Sequence, residues 1–187
     1  HELRQGMENK EFDLHFQPIL EPSGKMIFSE ALLRWNRPSQ RIVAAGEFID
    51  FMATLPMMNE VGFWVFETVC ENIVNWRENG QWTDEMSIFV NISPKQFNND
   101  KFSKEVKKIV EKHGVNPSQL VFEITEESLI HNLDKVRDQL MELIDYGIRV
   151  ALDDFGTGYS SLAMLQKLPV QFVKLDREFI SNLDAGE

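Results

Sequence analysis

Five apolar runs in this chain each carry a polar side chain that does not belong in a buried strand. Glu30 interrupts Ile27-Phe28-Ser29-Glu30-Ala31-Leu32-Leu33, and Asn91 ends Ile88-Phe89-Val90. Glu123 follows Val121-Phe122, Asp153 and Asp154 follow Val150-Ala151-Leu152, and Lys174 follows Phe172-Val173. The intervals from Glu30 to Asn91, Glu123, Asp153 and Lys174 in turn are 61, 32, 30 and 21 residues. One βα unit of a barrel takes roughly 30 residues, so each interval is about one or two units. The recurrence places one polar residue near the carboxyl end of each of five strands.

The segments between these runs support that reading. Phe16 to Leu20 and Met26 to Trp35 read as strands flanking the turn Pro22-Ser23-Gly24-Lys25. Phe66, Val69, Cys70, Ile73 and Val74 share one helical face before Gly80. Phe102, Val106, Ile109 and Val110 form a second stripe ending near Gly114, and Leu133, Val136, Leu140, Leu143 and Ile144 a third stopped by Gly147. Ser87 to Ile92, Leu120 to Thr125, Ile148 to Leu152 and Val170 to Leu175 are strand-like. From Ser87 onward strands alternate with helices and are apolar throughout, as in parallel βαβ units buried on both faces. Doubly wound sheets and barrels both satisfy this local pattern.

Barrel active sites are assembled at the C-terminal face from residues on different strands. Burying a carboxylate costs several kcal/mol (of order 5) unless it is paired or ligates a metal. Glu30, Asn91, Glu123 and Asp153 are all oxygen donors, which suits Mg²⁺ or Mn²⁺ over Zn²⁺. Asp154 is placed to bridge to a second ion, and two ions about 3.5–4 Å apart are a common device for in-line phosphodiester displacement. Lys174 is suited to orient or help deprotonate the attacking water, or to stabilise phosphate charge. Taken singly, each residue has a plainer reading: Glu30 paired with Arg34 or Lys174, Asn91 capping the turn into Pro94, Asp153-Asp154 in an Asx turn. Five such strand endings at a barrel-like period favour the site. The Gly-rich segment after Asp154 matches neither common nucleotide-loop pattern, but its glycines suit a tight gating loop.

Composition narrows the partners. The 187 residues, 43% hydrophobic, suffice for one sizeable core, and the net charge of -11 argues against binding duplex nucleic acid. The single cysteine, Cys70, permits no internal disulfide and reads as a packed core thiol in a reducing compartment. No apolar run reaches the roughly 18 residues of a membrane span, and His1 to Arg4 lacks a signal peptide's hydrophobic region. The expectation is a cytoplasmic domain without membrane contact of its own, any anchor of a longer parent protein lying outside this segment.

The motifs Gln17-Pro18-Ile19, Glu30-Ala31-Leu32-Leu33-Arg34-Trp35, Val90-Asn91-Ile92-Ser93-Pro94, Glu123-Ile124-Thr125-Glu126, Asp153-Asp154-Phe155-Gly156-Thr157-Gly158 and Lys174-Leu175-Asp176 occur in order along the chain. Together they resemble the EAL family of cyclic-di-GMP phosphodiesterases over essentially its whole length. The resemblance implies an α/β, TIM-like (β/α) barrel with an antiparallel first strand, and hydrolysis of cyclic-di-GMP to linear pGpG with Mg²⁺ or Mn²⁺, in two ions. By motif position it implies Glu30, Asn91, Glu123 and Asp153 as metal ligands, Asp154 at the second metal or the nucleophilic water, and Lys174 at that water or the phosphate. Glu126 would steady the Gly-rich loop, and Arg34 and Gln17 would lie near the substrate's phosphate and base. Family members commonly form homodimers and are attached to sensory or other signalling domains.

Two departures stand out. Where the family usually shows an Ala-Glu pair and then Gly after Glu47-Phe48-Ile49, this chain has Met52-Ala53-Thr54-Leu55-Pro56. Residues 1–187 also read as a single EAL domain ending before the last two βα units, with about six of eight strands, so a family acid on the seventh strand is absent. That absence keeps a second reading open: a catalytically inactive cyclic-di-GMP receptor or regulatory domain. A protein-interaction scaffold that no longer meets nucleotide is disfavoured by the intact carboxylates.

Overall fold

The structure is a computed structural model, and it describes residues 2–38, 41–125, 133–155 and 170–175. In chain order the elements are α1 (Glu2–Glu8), β1 (Phe12–Leu20), β2 (Met26–Asn36), β3 (Ile42–Ala44), α2 (Ile49–Ala53), α3 (Met58–Glu78), β4 (Ser87–Asn91), α4 (Phe102–His113), β5 (Leu120–Thr125), α5 (Leu133–Tyr146), β6 (Arg149–Phe155) and β7 (Phe172–Leu175). The strands form one sheet in the order β1-β2-β4-β5-β6-β7, with β3 attached to β2 off that path. β1 and β2 are antiparallel, and every pairing from β2 through β7 is parallel. The sheet is an incomplete TIM-like barrel with an antiparallel first strand.

β1 and β2 form a hairpin because Glu21-Pro22-Ser23-Gly24-Lys25 turns the chain, with Gly24 at φ +83 and its N–H donating to Glu21 O at 2.8 Å. A residue with a Cβ is strained at that φ. β1 begins at Phe12, four residues earlier than the sequence suggests, and the alternation from Phe12 to Gln17 explains the extension. Phe12 and Leu14 are buried while Asp13, His15 and Gln17 are exposed, the period-2 pattern of a strand with one covered face. The short strand β3, α1 and α2 carry too little periodicity to be read from sequence. Among the described residues six strands lie on the barrel path, as the sequence indicates, and β3 is a seventh that only extends the edge of β2.

Helices α3, α4 and α5 cover the outer face of the sheet. Phe66 of α3 lies between Phe102 of α4 and Phe122 of β5, at ring separations of 5.9 and 5.0 Å. Cys70 is fully buried in this layer, and burial pushes its thiol up to about 12, as expected of a packing residue. The inner face holds a smaller cluster in which Phe28, Phe89 and Phe172 meet edge to face at 5.2 to 5.6 Å. β4 and β5 are buried almost throughout, whereas β1, β2 and β7 alternate. Uniform apolarity therefore holds only for the central strands, which are covered on both sides. No described helix is long and apolar enough to cross a membrane.

Candidate active site

Parallel register sets the height of each polar residue. Asn91 is aligned with Glu123, Glu30 with Phe89, and Thr125 with Asp153. Asn91, Glu123, Asp153 and Lys174 lie toward the C-terminal ends of their strands, as anticipated. Glu30 does not. It is the fifth residue of an eleven-residue strand. β2 runs on past it because Arg34 and Trp35 pair with β1 on one side and Arg34 to Asn36 pair with β3 on the other.

The five side chains nevertheless converge. Lys174 Nζ lies 2.6 Å from Glu123 Oε1, 3.1 Å from Glu30 Oε2 and 3.7 Å from Asp153 Oδ2. Asn91 Nδ2 donates to Glu30 Oε1 at 3.1 Å, tying β4 to β2 across the top of the cluster. Three carboxylates and an amide from four neighbouring strands thus gather around one ammonium from a fifth. Phe89 supports that ammonium from below, its ring centre 5.9 Å from Nζ.

Glu123 is the electrostatic centre. Its side chain is wholly buried. Burial pushes its carboxyl up to about 7, against the lowering pull of Lys174 and with the negative charges of Glu30 and Asp153 adding to the rise. Oε1 touches Lys174 as an ion pair, and Oε2 has no hydrogen-bond partner among the described residues. For Lys174, burial pulls the ammonium down, but Glu123, Asp153 and Glu30 outweigh it and hold the proton more tightly than on a free lysine. Buried polar atoms in folded proteins are nearly always satisfied, so the open Oε2 of Glu123, in a cluster with the oxygen donors Glu30, Asn91 and Asp153, fits a divalent Mg²⁺ or Mn²⁺ ion. In this arrangement the carboxylates are spread around the ammonium. Among the described residues, the one set of three ligand side chains with donor atoms within 4.8 Å of one another is Glu67, Glu71 and His113 on α3 and α4. There Glu67 is already paired with Lys112 at 2.9 Å and His113 at 2.5 Å, an inter-helix ion pair that fastens α3 to α4.

The remaining candidates are more dispersed. Asp154 is exposed, has φ +56, and donates its N–H to Asp153 Oδ1 at 2.9 Å. Aspartate tolerates that left-handed conformation better than most residues. Gln17 is paired directly opposite Glu30. Arg34 donates to the carbonyl of its neighbour Leu33 at 2.9 Å. Glu126 and the Gly-rich segment from Gly156 lie outside the described residues. Met52 is fully buried and Phe51 exposed, and the departure from Met52 to Pro56 falls at the end of α2. The sequence reading missed Asp13 and His15, which share the open face of Gln17. The signal was the alternation Phe12-Asp13-Leu14-His15-Phe16-Gln17.

A sheet and site of this kind define a carboxylate-lined α/β barrel, and comparison with known proteins gives the family. The EAL domain model matches residues 1–187, and the chain belongs to the EAL domain family. It is 36% identical over 184 residues to the bifunctional diguanylate cyclase/cyclic di-GMP phosphodiesterase MucR of Pseudomonas aeruginosa, covering 98% of this chain and 27% of MucR. It is 33% identical to the cyclic di-GMP phosphodiesterase NbdA of the same organism, covering all of this chain and 24% of NbdA. The chain thus spans about a quarter of these relatives. The solved structure of the PaMucR phosphodiesterase in complex with c-di-GMP superposes with a TM-score of 0.90 at 35% identity, covering 100% of this chain and 75% of that one.

Proposed function

We propose that this domain hydrolyses cyclic-di-GMP to linear pGpG in bacterial second-messenger signalling, using Mg²⁺ or Mn²⁺, in two ions. The observation that carries the reading is the convergence of Glu30, Asn91, Glu123 and Asp153 around Lys174, with the buried Glu123 carboxylate left half satisfied. The likeness to MucR and NbdA supports the substrate.

Glu30, Asn91, Glu123 and Asp153 would hold the metal, and Asp154 would serve a second ion or the water. A divalent ion bound there would lower the pKa of its water and neutralise charge on the phosphate. Lys174 then acts from β7. Its ammonium donates to the attacking water or a phosphate oxygen, and it balances the charge of the surrounding carboxylates. Arg34 and Gln17, on the open face of the hairpin, would meet the phosphate and base, and Glu126 would steady the Gly-rich loop. A cytoplasmic setting, regulation by attached sensory domains, and homodimer formation belong to the same reading.

The test is hydrolysis of cyclic-di-GMP by the intact protein with Mg²⁺ or Mn²⁺, with the product identified by mass. Turnover is expected, and Glu30→Ala is expected to abolish it. Binding without cleavage by the unaltered protein would favour the receptor reading. Full turnover by the Glu30→Ala protein would remove the proposed ligand set.

A further inference from the structure

The open face of the β1–β2 hairpin extends well beyond Glu30. The register pairs Gln17 with Glu30, His15 with Leu32 and Asp13 with Arg34. All six residues share one face, since their neighbours Leu14, Ala31, Leu33 and Trp35 are buried against the helices while Asp13, His15 and Gln17 are exposed. At about 3.3 Å per residue, Arg34 stands roughly 13 Å along the strand from Glu30. That is comparable with the reach of one nucleotide from its phosphate to the far edge of its base.

Asp13 and Arg34 face each other across the hairpin with opposite charges, yet they form no ion pair. Arg34 donates to Leu33 O at 2.9 Å. Asp13 Oδ1 accepts the Leu14 N–H at 2.8 Å. Directly opposed side chains in an antiparallel pair are close enough to interact. An uncommitted carboxylate oxygen beside a site for a phosphodiester is unfavourable for the phosphate itself, because like charges repel. It is favourable for a ligand group that offers hydrogen-bond donors. Guanine carries two such donors side by side, N1–H and the N2 amino group. Adenine presents an acceptor at N1 and no N2 amino group.

We infer that Asp13 is a specificity residue that accepts hydrogen bonds from the N1–H and N2 amino edge of one guanine of the substrate. Asp13 makes no contact with the reacting phosphate. This inference rests on the proposed hydrolysis of cyclic-di-GMP.

The substitution Asp13→Asn discriminates. It keeps an oxygen to accept the Leu14 N–H, so the strand is expected to fold unchanged, with the thermal midpoint as the check. It replaces the second oxygen with an NH₂ group that faces the guanine donors. The expected result is a rise of about tenfold or more in KM for cyclic-di-GMP at little change in kcat, with a reduced preference for cyclic-di-GMP over cyclic-di-AMP in competition. If Asp13 acts only as a local cap, KM and the preference stay at the unaltered values. If it acts only through charge, removing the carboxylate lowers KM for both dinucleotides. Either outcome overturns the inference while leaving the proposed function standing. Failure of the unaltered protein to bind or cleave cyclic-di-GMP would remove both.

Discussion

Lys174 and Glu123 stand on strands separated by β6, yet the ammonium of one touches the buried carboxylate of the other at 2.6 Å. The pair spans β6 because both side chains rise from the inner face, where the sheet curls. Removing one member of a buried pair strands the other charge, which typically costs about 3–5 kcal/mol. Lys174→Met is therefore expected to lower the urea midpoint at neutral pH, by an amount toward the low end of that range because Lys174 is partly exposed. It is also expected to reduce cyclic-di-GMP hydrolysis by about 100-fold or more. Adding Glu123→Gln should recover much of the stability and none of the activity. A single Lys174→Met variant as stable as the unaltered protein would mean that the pair does not hold the strands together.

The same carboxylate makes stability depend on pH in a defined window. The Glu123 carboxyl rises from an ordinary 4.5 to about 7 on folding. Between those values the folded protein binds more protons than the unfolded chain, so its contribution to stability is fully present below 4.5 and is lost as pH rises through 7. The slope reaches at most about 1.4 kcal/mol per pH unit. In chelator-treated protein, urea unfolding across pH 5 to 8 is expected to show this decline, and Glu123→Gln is expected to flatten it. The raised Lys174 ammonium acts only above its ordinary 10.5, outside that window. An unchanged slope in the Glu123→Gln protein would contradict the assignment of the window to this group.

The central strands and the candidate ligands were legible because they break a simple rule. Glu123 in Leu120–Thr125 and Asn91 after Ile88-Phe89-Val90 are polar where burial demands apolar residues, and a single chain shows that conflict. The position of Glu30 in mid-strand was not legible, because it depends on β3 and β1 extending β2 on both sides. Nor was the contact between Asn91 and Glu30, 61 residues apart, which is set by the stagger between β2 and β4. The face shared by Asp13, His15 and Gln17 was encoded as an alternation, but a strand started at Phe16 hides it. Local periodicity does not choose between a barrel and a doubly wound sheet; the family resemblance, with its antiparallel first strand, made that choice, and the β1–β2 pairing agrees with it.

Beneath the site, Phe89 links the polar cluster to the apolar floor of the barrel. Its ring meets Phe28 at 5.2 Å and Phe172 at 5.6 Å, and Lys174 Nζ lies over it at 5.9 Å. It is 4% exposed. Truncating a packed phenylalanine costs about 3–5 kcal/mol, part of it from the cavity left behind. Phe89→Ala is expected to lose that much in urea unfolding and to lower hydrolysis, since Lys174 loses its support. Phe89→Leu, which fills most of the volume, is expected to lose less of both. Equal behaviour of the two variants would show that the ring does not hold Lys174.

Gly62 gives a prediction whose sign runs against propensity. In a helix interior, glycine to alanine ordinarily gains up to about 1 kcal/mol. Gly62 sits in the second turn of α3, and a Cβ there would overlap the side-chain amide nitrogen of Gln96. Gln96 is 1% exposed and has little room to move. Its Oε1 accepts the Ser93 N–H at 2.8 Å, and its own N–H donates to Ser93 O at 3.0 Å, so it fixes the turn that follows Asn91. Gly62→Ala is therefore expected to destabilise the protein by about 1–3 kcal/mol, as overpacking does. By shifting Ser93 it should also misplace Asn91 and lower turnover without altering any residue of the site. Combining it with Gln96→Ala removes the clash, so the double variant should be more stable than the sum of the two single losses implies. A stabilising Gly62→Ala, read from the urea midpoint, would mean that α3 and the Ser93 turn adjust freely and that the close approach at Gly62 is not needed to position Asn91.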